Sequence, residues 1–130
     1  MNVLDHIGVA VDSLEGATRI FEQLTGQTAT PPETLEAHGV RVVFCGAVEL
    51  VEPLGPETAV GRFLHEHGSG LHHIAYRSAD IRGDLARLSA TGFELIDHEP
   101  RPGAGGHQVA FLQPWSTGGV LWELVEHPDT

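Results

Sequence analysis

The sequence predicts an α+β fold. Two tandem βαβββ modules form one curled mixed sheet, with helices on the convex face and a metal site on the concave face. Three observations predict this. The run Leu4-Asp5-His6-Ile7-Gly8-Val9-Ala10 is echoed by Leu71-His72-His73-Ile74-Ala75, an offset of 67 (73 − 6), which also sets Leu14 on Ile81 and Val42-Val43-Phe44 on Val109-Ala110-Phe111. Glu49-Leu50-Val51-Glu52 and Glu123-Leu124-Val125-Glu126 are identical tetrapeptides, an offset of 74 (123 − 49). Within each copy, period-two stretches flank one stretch of helical period. The 130 residues make a single domain over 1–130: module one at about 1–53, a linker helix at about 54–69, and module two at about 70–127.

The elements follow in order. Val3 to Val11 reads as a strand, with Val3, Asp5, Ile7, Val9 and Val11 on one face and Leu4, His6, Gly8 and Ala10 on the other. The first face is bulky enough to pack under helices. The second sets a His among small residues and leaves room above it. Asp12-Ser13 offers an N-cap to a helix carrying Leu14, Ala17, Ile20, Phe21 and Leu24, and Gly26 ends it as a left-handed cap. Gln27 to Thr30 reads as a short strand and Pro31 to Thr34 as a loop. Gly39–Cys45 and Val48–Glu52 form a hairpin, and Glu57 to His67 a connecting helix capped by Gly68.

The second copy repeats the plan. Leu71–Arg77 is a strand with His73 and Ala75 on one face and His72, Ile74 and Tyr76 on the other. Ala79-Asp80 caps a helix whose Ile81, Leu85 and Leu88 point inward, and Gly92 ends it. Phe93–Asp97 reads as a strand, and residues 100–106 as a mobile loop. Gln108–Leu112 and Val120–Val125 make the closing hairpin.

Strand parity puts His6, Glu49, His73 and Glu123 on the concave side of four separate strands. Two imidazoles and two carboxylates suit one divalent ion with open positions: cobalt, nickel, zinc, manganese or iron. A carboxylate buried on such a face is costly unless paired, and a metal is a natural partner. His65, His67, His98, His107 and His127 read as surface residues, and His72 faces away from His73. His38 leads into a strand near the cavity. Glu52 and Glu126 alternate away from the site as convex-face or rim charges.

Composition narrows the partners. The net charge is −11 at pH 7, which argues against nucleic acid. All seven cations are Arg, so Schiff-base chemistry and a Walker-type phosphate loop are excluded. No apolar run approaches a membrane span and no signal peptide is visible, and Cys45 stands alone, so a cytoplasmic protein with no membrane partner is expected.

The chain resembles the vicinal-oxygen-chelate superfamily, which includes glyoxalase I, extradiol dioxygenases, bleomycin-resistance proteins and methylmalonyl-CoA epimerases. It is most similar to the epimerases. Residues 4–11, 49–54 and 70–75 carry the general likeness, and residues 99–104 and 116–124 the likeness to the epimerases. The resemblance implies a metal-dependent epimerase that interconverts the 2-epimers of methylmalonyl-CoA through a metal-stabilised enolate. It implies Glu123 as both metal ligand and catalytic base, and Ser116 and Thr117 as substrate contacts. An acyl-CoA thioester is the expected small-molecule partner and a homodimer the expected assembly. A glyoxalase I-type lactoylglutathione lyase and a metal-free small-molecule binding protein of the same fold are the alternatives. Three departures stand out. Val42 occupies the place where some members carry a second catalytic Glu. Glu36, His38 or a water could serve instead. Gln113-Pro114-Trp115 replaces the His-Pro-Lys of many relatives, and any positive patch for coenzyme A must come from Arg41, Arg62, Arg77 or Arg101.

Overall fold

A computed structural model of the protein describes residues 3–128, so the two residues at each end of the expected domain lie outside the described residues. The elements run β1 (Val3–Ala10), α1 (Leu14–Thr25), β2 (Glu33–Leu35), β3 (Val40–Cys45), β4 (Val48–Pro53), α2 (Ala59–His67), β5 (Gly70–Arg77), α3 (Ile81–Ala90), β6 (Arg101–Pro102), β7 (Gln108–Leu112) and β8 (Trp122–Glu126). The eight strands form a sheet of order β2-β3-β4-β1-β5-β8-β7-β6. The pairs β1–β4 and β5–β8 are parallel, and β2–β3, β3–β4, β6–β7 and β7–β8 are antiparallel. The fold is therefore α+β with a mixed sheet, and βαβββ is written twice. By contact the chain divides into two compact units, Ile7–His72 and the remaining described residues.

In the unit Ile7–His72, α1 begins where Ser13 Oγ accepts from the Gly16 N–H, and ends at Gly26, whose φ of 71° only a glycine adopts cheaply. Its stripe Leu14, Ala17 and Phe21 packs on Val11, Val43 and Leu50. Ile20 and Leu24, expected inward, are 55% and 78% exposed. Ile20 lies about 100° around the helix from Phe21, off the stripe. Residues 27–30 do not form the expected strand. Thr30 instead makes a local clasp, its N–H donating to the Phe44 carbonyl and its Oγ1 accepting from the Phe44 N–H. The strand is Glu33–Leu35, which begins within the expected loop and ends one residue past it. It starts after Pro31-Pro32, which have no N–H to give a ladder. Helix α2 starts at Ala59 rather than Glu57, with Thr58 as its cap. Gly61 lets the chain pass closely there, since a Cβ would stand 2.3 Å from the Gly55 carbonyl oxygen.

In the other unit, Ile81, Leu85 and Leu88 of α3 cover Leu95, Ala110, Leu112 and Leu124. Trp122 packs at the edge of this cluster and stacks on Tyr76, with ring centroids 4.6 Å apart. The expected strand at Phe93–Asp97 shrinks to a single bridge between Leu95 and Leu112. Part of the expected loop at 100–106 is instead β6 and a turn of 3-10 helix at Ala104–Gly106. The last strand starts at Trp122, two residues later than expected. No described helix is long and apolar enough to cross a membrane.

Candidate metal centre

Each β-strand has a helix face and an opposite face, and the four candidate ligands lie on the opposite one. On β4, Leu50 meets α1, so Glu49 and Val51 turn the other way. The β1–β4 ladder pairs Gly8 with Glu49, so a residue without a side chain stands beside the carboxylate. On β8, Leu124 meets α3, so Glu123 and Val125 turn away, and Val125 joins Ala75 and Val109 in a small apolar cluster. His6, Glu49, His73 and Glu123 are 5%, 7%, 6% and 6% exposed.

Three of these buried polar groups converge. The Nε2 atoms of His6 and His73 are each 3.2 Å from Glu123 Oε1, and 3.4 Å from one another. Two donors held at about 2.0–2.1 Å from one ion, at angles between octahedral and tetrahedral, stand about 2.8–3.4 Å apart. The three measured separations fall in that range. The chemistry agrees as well. Nδ1 of His6 is 2.7 Å from Asp5 Oδ2. A carboxylate only accepts, so a neutral His6 ring carries its N–H on Nδ1 and its lone pair on Nε2. That lone pair faces a carboxylate oxygen. Two acceptors at such a distance repel, and a cation between them resolves the conflict. The donor set therefore fits a divalent ion.

The surroundings of the two imidazoles differ. Asp5 also holds His127, whose Nε2 is 2.6 Å from Oδ1. The hydrogen bond with His6 is the main reason the Asp5 carboxyl lies at about 2, below its usual 3.8; burial opposes the shift and the His127 hydrogen bond adds to it. His127 stacks on His107 with centroids 3.9 Å apart. Burial, and then the neighbouring His127, push His107 below its usual value. His73 instead meets Phe111 edge to face at 5.6 Å. His72 turns to Phe63 of α2, 4.8 Å away, and so points away from His73 as its parity requires.

Sequence reasoning missed the roles of four residues. Asp5 is not merely a packing-face residue, and His127 is a half-buried partner of it, not a surface group. Glu52 and Glu126 also do more than line a rim. The Leu14 N–H donates to Glu52 at 2.8 Å, and the Ile81 N–H donates to Glu126 at 2.7 Å. Each therefore satisfies a free donor at a helix start and places a negative charge at the positive end of the dipole. The tetrapeptide repeat was the available signal, because its first and fourth residues point to opposite faces. Ser116 and Thr117 use their hydroxyls in the turn before β8: Ser116 Oγ donates to the Gln113 carbonyl and Thr117 Oγ1 to the Pro114 carbonyl. Arg41, a candidate for the phosphates, is tied to Glu15 at 2.7 Å and Glu52 at 3.0 Å. Val42, 2% exposed, holds no acid–base group, and its antiparallel neighbours are Glu33 and Val51.

Residues 5–111 match the glyoxalase/bleomycin resistance protein/dioxygenase superfamily. The chain belongs to that superfamily. Within it, the chain is 43% identical over 130 residues to the uncharacterized protein YqjC of Bacillus subtilis, covering 97% of this chain and 93% of that one. It is 35% identical over 127 residues to the ethylmalonyl-CoA/methylmalonyl-CoA epimerase of Cereibacter sphaeroides, covering 93% and 95%. Its fold matches a variant of Streptomyces coelicolor methylmalonyl-CoA epimerase in complex with 2-nitronate-propionyl-CoA, with a TM-score of 0.92 at 32% identity, covering 96% and 94%. These epimerases are isomerases, and the superfamily's usual divalent metal has its donor set in this chain.

Proposed function

We propose that the protein is a metal-dependent epimerase that interconverts the 2-epimers of methylmalonyl-CoA. The observation that carries the reading is the convergence of His6, His73 and Glu123 at 3.2–3.4 Å in a chain similar to epimerases along almost its whole length. His6, Glu49, His73 and Glu123 hold the ion. Once bound, it supplies Lewis-acid polarisation of the thioester carbonyl, and so lowers the energy of charge developing there.

The chain's own residues move the proton. A carboxylate oxygen of Glu123 takes the proton from carbon 2. The C–H electron pair passes into the thioester carbonyl as the substrate becomes an enolate. Return of a proton to the other face gives the opposite epimer, and that needs a second group. Position 42 offers none. Glu49 is the buried carboxylate at the matching place of the repeat, and we assign the return of the proton to it. The reverse reaction exchanges the two roles. Ser116 and Thr117 contact the acyl group from the turn before β8. The assembly is a homodimer, supported by the exposed apolar side chains of Val3, Leu4, Ile20 and Leu24; sedimentation at micromolar concentration tests it.

The deciding experiment is proton exchange on methylmalonyl-CoA in deuterium oxide, with metal-stripped protein before and after cobalt is added. Cobalt-dependent deuterium at carbon 2, together with interconversion of the epimers, is the expected result. Exchange without interconversion overturns the two-base assignment. No exchange with any divalent ion overturns the epimerase reading.

A further inference from the structure

The two candidate imidazole ligands come from matching places in the repeat, yet only one has a carboxylate before it. Position 5 corresponds to position 72 (5 + 67), which is a His that turns to Phe63. Asp5 bridges two rings: Oδ2 lies 2.7 Å from Nδ1 of His6, and Oδ1 lies 2.6 Å from Nε2 of His127. Its side chain is 14% exposed. The series continues outward. His127 stacks on His107, and the His107 carbonyl accepts from the Gly103 N–H at 2.8 Å. Gly103 sits so close to Val109 that a Cβ there would be 2.7 Å from a methyl group. The turn at 103–107 is thus seated on β7, and His107 is the shelf on which His127 lies.

An imidazole that is free to choose divides its proton between Nδ1 and Nε2. A carboxylate at Nδ1 removes that choice and stiffens the ring. Asp5 meets Nδ1, while Nε2 is the atom that faces His73 and Glu123. We propose that Asp5 is a positioning residue that fixes the tautomer and orientation of His6, with Nε2 bare toward the other donors, and that His127 holds Asp5 in place. The consequence for metal affinity rests on the metal reading above; the geometry does not. A carboxylate behind an imidazole typically raises metal affinity 10–100-fold.

Two measurements on the full chain test this. The first is long-range proton–nitrogen correlation on the metal-free protein at a pH where the rings are neutral, with His6 assigned through its own variant. Wild type should show one His6 tautomer, with the proton on Nδ1. Asp5→Ala should show both. The second is cobalt affinity by competition with a chromogenic chelator. Asp5→Ala should bind cobalt about 10–100-fold more weakly. Asp5→Asn should recover part of the loss, because its amide oxygen still accepts from Nδ1. It also serves as the second variant should Asp5→Ala fold poorly. His127→Phe keeps a ring for His107 but no hydrogen bond to Asp5, and should fall between wild type and Asp5→Ala. Unchanged His6 tautomer and affinity in both Asp5 variants overturn the proposal, and a wild-type affinity in His127→Phe removes the part given to His127. If wild-type protein binds no cobalt, the metal reading fails while the tautomer measurement still decides the role of Asp5.

Discussion

The two halves of the repeat agree on one set of tasks and part on another. Glu49-Leu50-Val51-Glu52 and Glu123-Leu124-Val125-Glu126 each send the first Glu to the face opposite the helix, bury the Leu under a helix, and use the last Glu to receive the first N–H of that helix. One tetrapeptide thus anchors a helix on one face and offers a carboxylate on the other, which alternation makes possible in four residues. The strands bearing the imidazoles differ. Asp5-His6 backs its ring with a carboxylate, while His72-His73 faces Phe111 and turns its other ring to Phe63. The repeat keeps the candidate ligands and the helix anchors. It does not keep the acidic residue before the imidazole.

The harshest test of the shared tasks is removal of a ligand. His73→Ala should lose the bound metal and all measurable epimerisation. His72→Ala should keep both and lose about 1 kcal/mol of stability through its contact with Phe63. Metal analysis and turnover on the purified variants check this. A metal-free His72→Ala beside a metal-loaded His73→Ala would break the parity argument on which the whole site rests.

A graded effect should follow from the two carboxylates. Glu123→Gln and Glu49→Gln should each lower epimerisation by about 10²–10⁴-fold, the usual range for a lost acid–base group. The sharper readout is direction. Each variant should still exchange solvent deuterium into one epimer and not the other, with the preferred epimer opposite in the two. The same preference in both would mean that the repeat is symmetric in ligands only. Val42→Glu should not be needed for turnover in either direction.

Much of this was legible because strands report their faces. Period-two alternation separated Glu49 from Leu50 and His73 from His72 with no structure in hand, and the repeat said which of them belong together. The helix start at Ser13 was legible because its side-chain oxygen caps a free N–H. Residues 27–35 were not, because apolar alternation there is too short to choose a strand, and the choice fell to Pro31-Pro32 and to the ladder offered by β3. Asp5 was misread for a related reason. Parity assigns a side chain to a face, but a short acidic chain near the start of a strand can bend back to the ring beside it. His127 hid because its partner is 122 residues away, and no local pattern encodes such a pair.

The helix anchors allow a quieter comparison. Glu126→Ala and Glu52→Ala each leave a helix-start N–H without its charged acceptor, which costs about 2 kcal/mol. Urea unfolding of metal-free protein should give similar losses for the two, with metal affinity unchanged in both. A clearly larger loss for Glu52→Ala would mean that its ion pair with Arg41 adds to stability, although exposed pairs of this kind usually contribute little.

The smallest effect tests the carboxylate behind His6 by pH. The Asp5 carboxyl is held at about 2 in the folded protein against an ordinary 3.8, mainly by His6. A carboxyl lowered on folding binds its proton more weakly in the folded state, so ionisation favours folding. That stability is fully present above about pH 3.8 and fades as pH falls toward about 2. Asp5→Asn cannot ionise, so its stability should fall less steeply over this window than that of wild type, as read by urea midpoints at intervals between pH 4.5 and pH 2. Because His72 stands at the matching place, His72→Asn should leave that slope as it is in wild type. Equal slopes in wild type and Asp5→Asn would mean that the bridge between His6 and His127 carries no ionised carboxylate.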